Sequence, residues 1–138
     1  WSPIFCFYGN NNRTNTILIP LGGGRMELRA ADSACNPYLG AAMVLMAGLE
    51  GIEQGLDPGE PHLDNMYLKS QPELDALGIK TLPRSLDQAL DAFASDPLSK
   101  QVFGEQIYTD WLDYKYAEWS SYCVHVSDWE KARYLKMF

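Results

Sequence analysis

Two arginines and a glutamate alternate along one short stretch of the chain, at Arg25, Glu27 and Arg29. Successive side chains of an extended strand point to opposite faces, so these three would share one face. Guanidinium groups bind carboxylates and phosphates bidentately, and a carboxylate is a ligand that suits Mg²⁺ or Mn²⁺. The pattern therefore predicts either a site for an anionic substrate and a divalent metal, or a solvated ladder of ion pairs on an exposed sheet face.

The distribution of charge favours a small anionic ligand. The chain has 138 residues, a formal net charge of −7 and 46% hydrophobic residues, which is typical of one globular domain. An acidic protein lacks the basic surface that nucleic-acid binding requires. The first 30 residues nevertheless contain Arg13, Arg25 and Arg29 with Glu27 as their one acid. This local excess of positive charge predicts a basic pocket in an acidic protein.

The cysteines and the apolar runs predict a cytoplasmic protein without a membrane partner. Cys6, Cys35 and Cys123 are odd in number and form no CxxC pair, which favours reduced thiols. The longest apolar stretch, residues 38–49, is too short to span a membrane. His62 and His125 have no partner at metal-ligand spacing and are interpreted as non-catalytic. The chain opens inside a predicted strand without an initiator Met, which predicts a fragment of a longer protein.

Three short strands should position the charged residues. Residues 4–8 form a continuous apolar run that predicts a buried strand, ended by Gly9 and the asparagines at 10–12. Residues 14–20 alternate and are β-branched, and the glycines at 22–24 predict a turn before the third strand at 25–30. We expect an α+β fold in which short antiparallel β segments, about residues 3–30, precede a mainly helical C-terminal part.

Helices are predicted over most of the remaining chain. Asn36 and Pro37 are a good start for a helix from Tyr38 to about Gln54, which is apolar nearly all round and should be central and buried. Residues 60–83 are predicted to be a long irregular segment. Later helices should begin at capping boxes at Ser85 and Ser127 and after Gly104, the last ending at Phe138. The following aromatic residues recur at helical spacing and predict core or subunit-interface positions: Tyr108, Trp111, Trp119, Tyr122 and Trp129.

Several motifs resemble the glutamine synthetase family in order and spacing. They are Asn12-Arg13-Thr14, residues 25–32 (RMELRAAD), 36–39 (NPYL), 47–52 (AGLEGI), 58–61 (PGEP), 65–67 (NMY) and 82–86 (LPRSL). The resemblance covers essentially the whole chain. It implies that residues 1–138 are the C-terminal portion of a glutamine synthetase catalytic domain, without the N-terminal domain and most metal ligands. The opening Trp-Ser-Pro and residues 126–130 resemble the branch that includes glutamate–methylamine ligases.

The resemblance also implies individual roles. Glu27 matches a glutamate that binds one catalytic Mg²⁺ or Mn²⁺, and Arg29 matches the arginine that holds the carboxylate of L-glutamate. Arg25 matches an arginine facing the ATP phosphates. Arg13 matches a catalytic arginine between the γ-phosphate of ATP and the glutamyl group, so that it contacts both substrates. Tyr67 matches a tyrosine that is adenylylated in some bacterial members, and simple packing in a loop is the alternative for it.

The function implied by this resemblance is ATP-dependent C–N ligation. In the family, ATP phosphorylates the γ-carboxylate of glutamate, and ammonia or an amine such as methylamine then displaces phosphate. Members are homo-oligomers of two hexameric rings. The parent protein should be such a ligase, and the 138-residue piece alone should be inactive. One departure supports an alternative: Leu18 stands where the family usually has an ATP-binding arginine, which favours a non-catalytic, glutamine-synthetase-like structural or assembly protein.

Overall fold

The computed structural model describes residues 3–137, which form strands followed mainly by helices. The strands are β1 (Phe5–Asn10), β2 (Asn15–Ile19), β3 (Glu27–Leu28) and β4 (Lys80–Thr81). The helices are α1 (Pro37–Glu53), α2 (Gln71–Ala76), α3 (Leu86–Ser95), α4 (Pro97–Cys123) and α5 (Asp128–Tyr134), with a 3₁₀ turn at Met66–Leu68. The chain divides into two compact units, Trp1–Leu82 and Pro83–Phe138. The predicted α+β class is confirmed.

The four strands form one sheet in the order β3-β2-β1-β4. The prediction of antiparallel pairing is correct for β2 with β3 and for β1 with β4, but β1 and β2 are parallel. The four residues between them do not make a hairpin. They return the chain to the start of β1, where Asn15 pairs with Phe5. The sheet is therefore mixed.

The core of the first unit lies between β1 and residues 66–79. Its buried cluster contains Phe5, Met66, Leu74 and Ile79, with Phe7 packed against it. The prediction of an irregular segment at 60–83 is therefore wrong. This region contains the 3₁₀ turn, α2 and β4, which are too short for hydrophobic periodicity to reveal. A capping box between Ser70 and Glu73 starts α2.

The sequence predicts that Gly9 ends the first strand, but Gly9 lies within β1. A Cβ atom at this position would lie 2.2 Å from the carbonyl oxygen of His62, so only glycine permits this approach. The main-chain N–H of His62 donates to the carbonyl oxygen of Tyr8 at 3.0 Å. The segment around His62 is thus held directly against the sheet. The triple-glycine run at 22–24 makes the predicted turn, closed by the N–H of Gly23 on the carbonyl of Pro20 at 3.0 Å.

Helix α1 begins where the sequence predicts, because Asn36 accepts hydrogen bonds from the N–H groups of Tyr38 and Leu39. The prediction that it is central and buried is wrong for this chain, since none of its residues is buried and Tyr38 is 84% exposed. Met26 and Leu28 line an apolar groove with α1, about 880 Å³ in volume. Within the first unit, the described residues supply too little apolar surface to cover the helix.

In the second unit, α3 packs on α4 through aromatic rings. The rings of Phe93 and Phe103 lie 5.1 Å apart, and Tyr108 stacks on Phe93 at 5.7 Å. Trp111 packs edge-on against Phe103 at 6.0 Å. Tyr108 and Trp111 therefore take the predicted packing positions, whereas Tyr122 and Trp129 are exposed. Among the described helices, none combines the length and apolarity needed to cross a membrane.

The predicted helix starts of this unit agree with the structure, but one predicted capping box is absent. Helix α3 begins after Ser85, but the Ser85 hydroxyl donates to the Asp87 carboxylate, so the predicted capping box is absent there. Gly104 has a non-helical φ of 71° and divides α4, in agreement with the helix predicted after it. Helix α5 ends at Tyr134, and the predicted end at Phe138 lies outside the described residues.

The predicted capping box at Ser127 is confirmed and makes α5 sensitive to acid. The Glu130 carboxylate accepts hydrogen bonds from the main-chain N–H and the hydroxyl of Ser127, both at 2.8 Å, and these bonds lower the pKa of Glu130. A lowered carboxyl pKa stabilises the folded helix above the usual glutamate pKa of about 4.3, and the effect is lost as pH falls through the folded value. We expect α5 to fray below about pH 4.

Amide hydrogen exchange across α5 measures this effect. The Glu130→Gln variant, which cannot ionise, should show the same α5 protection at pH 3 and pH 6, apart from the intrinsic exchange rates. Glu60→Gln is the matched control, because Glu60 is exposed and lies outside every helix. If the α5 protection of Glu130→Gln fell with pH as much as that of the unchanged protein, the acid sensitivity would not come from Glu130.

Candidate active-site face on β2 and β3

The charged residues of the third predicted strand are held by the antiparallel pairing of β2 with β3. Leu18 pairs directly with Glu27, and the N–H of Arg29 donates to the carbonyl oxygen of Thr16 at 2.8 Å. The regular ladder covers only Glu27 and Leu28, so the predicted six-residue strand is shorter than expected. Opposed residues of an antiparallel pair point to the same face. The Leu18 side chain therefore lies beside the Glu27 carboxylate.

Arg29 connects this face to Arg13. Its Nη1 group donates to the carbonyl oxygen of Arg13 and lies 3.5 Å from that of Asn15, a longer and weaker contact. Arg13 and Arg29 are 16 residues apart in the chain, and this contact between the Arg29 guanidinium and the Arg13 main chain brings them together. Arg13 is exposed and Arg29 is partly buried.

Arg25 and Glu27 are both exposed on the same segment. Arg25 follows directly on the glycine turn and precedes β3. Arg25, Glu27 and Arg29 thus lie on one short segment, which contacts the main chain of Arg13 through Arg29, and guanidinium groups of this kind can bind a phosphate or carboxylate anion. The joint and individual roles of these side chains remain predictions.

The described residues do not by themselves make a metal site. Across residues 3–137, no group of three or more His, Cys, Asp or Glu side chains comes together in a way that could hold a metal ion. Mg²⁺ and Ca²⁺ bind through several oxygen ligands, and Glu27 can supply only one side chain of such a set.

A small polar pocket adjoins Arg13, with a volume of about 290 Å³. Its lining residues are Asn11, Asn12, Arg13, Thr14, Leu63 and Asn65. Asn12 is 8% exposed, and its side chain contacts main-chain groups some 50 residues away in the sequence. Sequence reasoning did not single out Asn12 because only its position before Arg13, within an asparagine cluster, marks it locally.

Two of the remaining predicted candidates, Tyr67 and His62, pack against aromatic residues of β1. The Tyr67 side chain is 39% exposed, and its ring centre lies 5.7 Å from that of Phe5. His62 packs edge-on against Phe7 at 5.4 Å. The N–H of His125 donates to the carbonyl oxygen of Tyr122 at the end of α4. The packing of Tyr67 against the core agrees with the simpler alternative, and its modification stays a prediction.

Known proteins similar to this chain fall in one family. Residues 1–134 match the family model described as glutamine synthetase, catalytic domain. The chain is 46% identical over 138 residues to the glutamate–methylamine ligase of Methyloversatilis universalis, covering 100% of this chain and 30% of that protein. It is 40% identical over 139 residues to the glutamine synthetase of Methanosarcina mazei, covering 99% and 31%. The chain thus spans about 30% of the length of these curated relatives.

Solved structures agree with the sequence match. A GmaS/ADP complex superposes on 98% of this chain, and 30% of its own, with a TM-score of 0.84 and 36% identity. Ligand-free GmaS covers 98% and 31% with a TM-score of 0.82 and the same identity. The chain therefore shares its fold with these proteins over nearly its whole length. The chain belongs to the glutamine synthetase family, and it lies within the catalytic domain of that family.

Proposed function

We propose that this chain is part of an ATP-dependent ligase that joins ammonia or a small amine to the γ-carboxylate of L-glutamate. Membership of the glutamine synthetase family supports the reaction class. The observation that carries the proposal is the contact of the Arg29 guanidinium with the main chain of Arg13, which connects the segment of Arg25, Glu27 and Arg29 to Arg13. Because the chain spans about 30% of its relatives, we assign the activity to a longer protein.

Each charged residue has a distinct part in this proposal. Arg29 holds the α-carboxylate of glutamate, and Arg25 faces the ATP phosphates. Arg13 stabilises the charge on the phosphoryl group while it passes from ATP to the γ-carboxylate. The acyl phosphate then reacts with the amine, and phosphate leaves. Phosphoryl transfer depends mainly on such positioning and charge stabilisation, which guanidinium groups can supply.

The chain supplies one part of the catalytic machinery. Glu27 would provide one carboxylate to a Mg²⁺ or Mn²⁺ ion whose other ligands lie elsewhere in the longer protein. We therefore propose that residues 1–138 are the C-terminal portion of the catalytic domain and have no ligase activity alone. The exposed aromatic residues Tyr122 and Trp129 are available for subunit contacts. From the resemblance to the family we propose a cytoplasmic homo-oligomer, a dodecamer of two hexameric rings.

The relatives of this chain suggest two amine acceptors. The chain resembles a glutamate–methylamine ligase and several glutamine synthetases, so ammonia and methylamine are both proposed substrates. The two differ by one methyl group, which is worth roughly 1–3 kcal/mol of discrimination in a pocket that fits it. Competition between the two amines in the full-length protein assigns the acceptor.

Leu18 supports a second candidate function. Its side chain lies directly opposite Glu27 and places an apolar group where a phosphate-binding arginine is usual in the family. A non-catalytic assembly protein of this family would tolerate that change. Such a protein would not require the Arg29 side chain to be held by the main chain of Arg13, 16 residues away, which is why we favour the ligase.

Separate substitutions of Glu27 and Arg29 test the proposal. In the full-length protein, Glu27→Gln should raise the divalent-metal concentration needed for half-maximal activity by about 10- to 100-fold and leave the KM for glutamate within about twofold. Arg29→Lys keeps the positive charge but loses the planar fork, so it should raise the KM for glutamate about tenfold with little change in metal dependence.

Steady-state titrations of metal and of glutamate measure the two effects. Arg84→Lys is the control, because Arg84 is exposed and belongs to the second unit. The roles assigned to the face would be wrong if both site variants changed metal and glutamate dependence in parallel, or if neither differed from the control.

A further inference from the structure

Asn12 uses the full hydrogen-bonding capacity of its side chain within the folded chain. Its Nδ2 group donates to the carbonyl oxygens of His62 at 3.0 Å and Asp64 at 2.7 Å. Its Oδ1 atom accepts from the main-chain N–H of Thr14 at 3.0 Å and from the Thr14 hydroxyl at 2.8 Å. A side-chain amide has two N–H donors and one oxygen that accepts two bonds, so every position is occupied.

The bonds to Thr14 fix the main chain around Arg13. The Asn12 side chain accepts from the main-chain N–H of Thr14, two residues ahead, and so forms an Asx turn with Arg13 as its central residue. The Arg13 carbonyl oxygen, which belongs to the same peptide group as the Thr14 N–H, accepts from the Arg29 guanidinium. Both polar groups of the peptide that follows Arg13 are therefore hydrogen-bonded, which restrains the main chain from which its exposed side chain extends.

The bonds to His62 and Asp64 fix the opposite wall of the pocket beside Arg13. That wall is formed by Leu63 and Asn65, which flank the bonded carbonyls in the sequence. The Thr14 hydroxyl also accepts from the N–H of Met66, in the buried core, at 3.5 Å. One buried amide thus sets both the orientation of Arg13 and its separation from the loop across the pocket.

We infer that Asn12 is a positioning residue for Arg13 and acts on the ligase reaction only through it. The inference rests on the role proposed above for Arg13. Phosphoryl transfer needs the stabilising guanidinium in one place, and a displacement of about 1 Å can cost up to 100-fold in rate. Asn12 makes no contact with a reacting group in this scheme. A residue that merely stabilised the fold would lower the amount of active protein independently of Arg13.

A double-mutant cycle in the full-length protein tests the inference. Asn12→Asp keeps the oxygen that accepts from Thr14 but removes both donors to the loop. We expect it to lower kcat about tenfold in the otherwise unchanged protein, with the KM values for ATP and glutamate within about twofold, and to lower kcat less than twofold in an Arg13→Ala background. Asn10→Ala is the control, because Asn10 is an exposed neighbour outside the pocket, and it should leave kcat unchanged.

The possible results are distinct. If Asn12→Asp lowers kcat tenfold in both backgrounds, or lowers it in neither, the inference is overturned. The Arg13→Ala variant alone still reports on the role proposed for Arg13. Normal ligase activity of Arg13→Ala overturns the role proposed for Arg13, and this inference with it, while the proposed ligase function stands; absence of ligase activity from the unchanged full-length protein overturns the proposed function. Should Asn12→Asp not fold, Thr14→Val provides the same cycle, since it removes the hydroxyl that binds Asn12 with little change in volume. We expect Thr14→Val to lower kcat about threefold in the otherwise unchanged protein and to leave kcat unchanged in the Arg13→Ala background.

Discussion

Replacing Arg13 by alanine in the full-length protein should lower kcat about 100- to 1,000-fold, the range observed when one charge-stabilising donor is removed from an active site. The main chain of Arg13 is fixed by Asn12 and Arg29, so the loss of its side chain should leave the local fold intact. The side chain is exposed and packs in no core cluster, so stability should change by less than about 0.5 kcal/mol.

Steady-state release of ADP, measured with saturating ATP and glutamate, gives the change in kcat. Arg13→Lys should recover only part of the lost activity, because lysine keeps the charge but not the planar fork. Arg133→Ala is the control, since Arg133 is an exposed arginine in the last turn of α5. If Arg13→Ala retained at least a third of the activity, Arg13 would have no part in phosphoryl transfer.

Met66→Ala should destabilise the first unit by about 2–5 kcal/mol, the usual range for truncating a buried Met or Leu. Met66 is 1% exposed and belongs to the cluster of Phe5, Leu74 and Ile79. The truncation leaves a cavity between β1 and α2 that the neighbouring side chains only partly fill. This loss is a large share of the stability of a typical domain.

Urea denaturation of the 138-residue chain measures the change, followed through the amide signals of β1 and β2 so that it reports on the first unit. Leu68→Ala is a matched control, because Leu68 is in the same 3₁₀ turn but is 82% exposed. It should alter stability by less than about 0.5 kcal/mol. Equal destabilisation by the two variants would show that the cluster around Met66 is not the core of this unit.

Local signals in the sequence predicted the starts of helices well and their burial poorly. Asn36 followed by Pro37 marks the start of α1 through hydrogen bonds to the next two residues, which any reader of the sequence can anticipate. Whether α1 is buried depends on what packs against it, and the described part of the chain leaves it exposed. The predicted capping box at Ser85 does not form, because the Ser85 hydroxyl donates to the Asp87 carboxylate instead.

The charged face could be predicted in part. Alternation places Arg25, Glu27 and Arg29 on one side of a strand whatever that strand pairs with. The pairing itself was not predictable from spacing, and it places Leu18 beside Glu27. The parallel pairing of β1 with β2 and the hold of Asn12 on His62 and Asp64 depend on contacts between distant segments, for which the local pattern carries no signal.

The most direct test of the central claim is one reaction of the full-length protein with ATP, L-glutamate, Mg²⁺ and either ammonia or methylamine, analysed by mass spectrometry. The account predicts glutamine or the γ-glutamyl methylamide, formed together with ADP in a one-to-one ratio. The 138-residue chain under the same conditions should form neither. Absence of both the γ-amide and ADP from the full-length reaction, with either amine, would contradict the assignment of this chain to an active ligase.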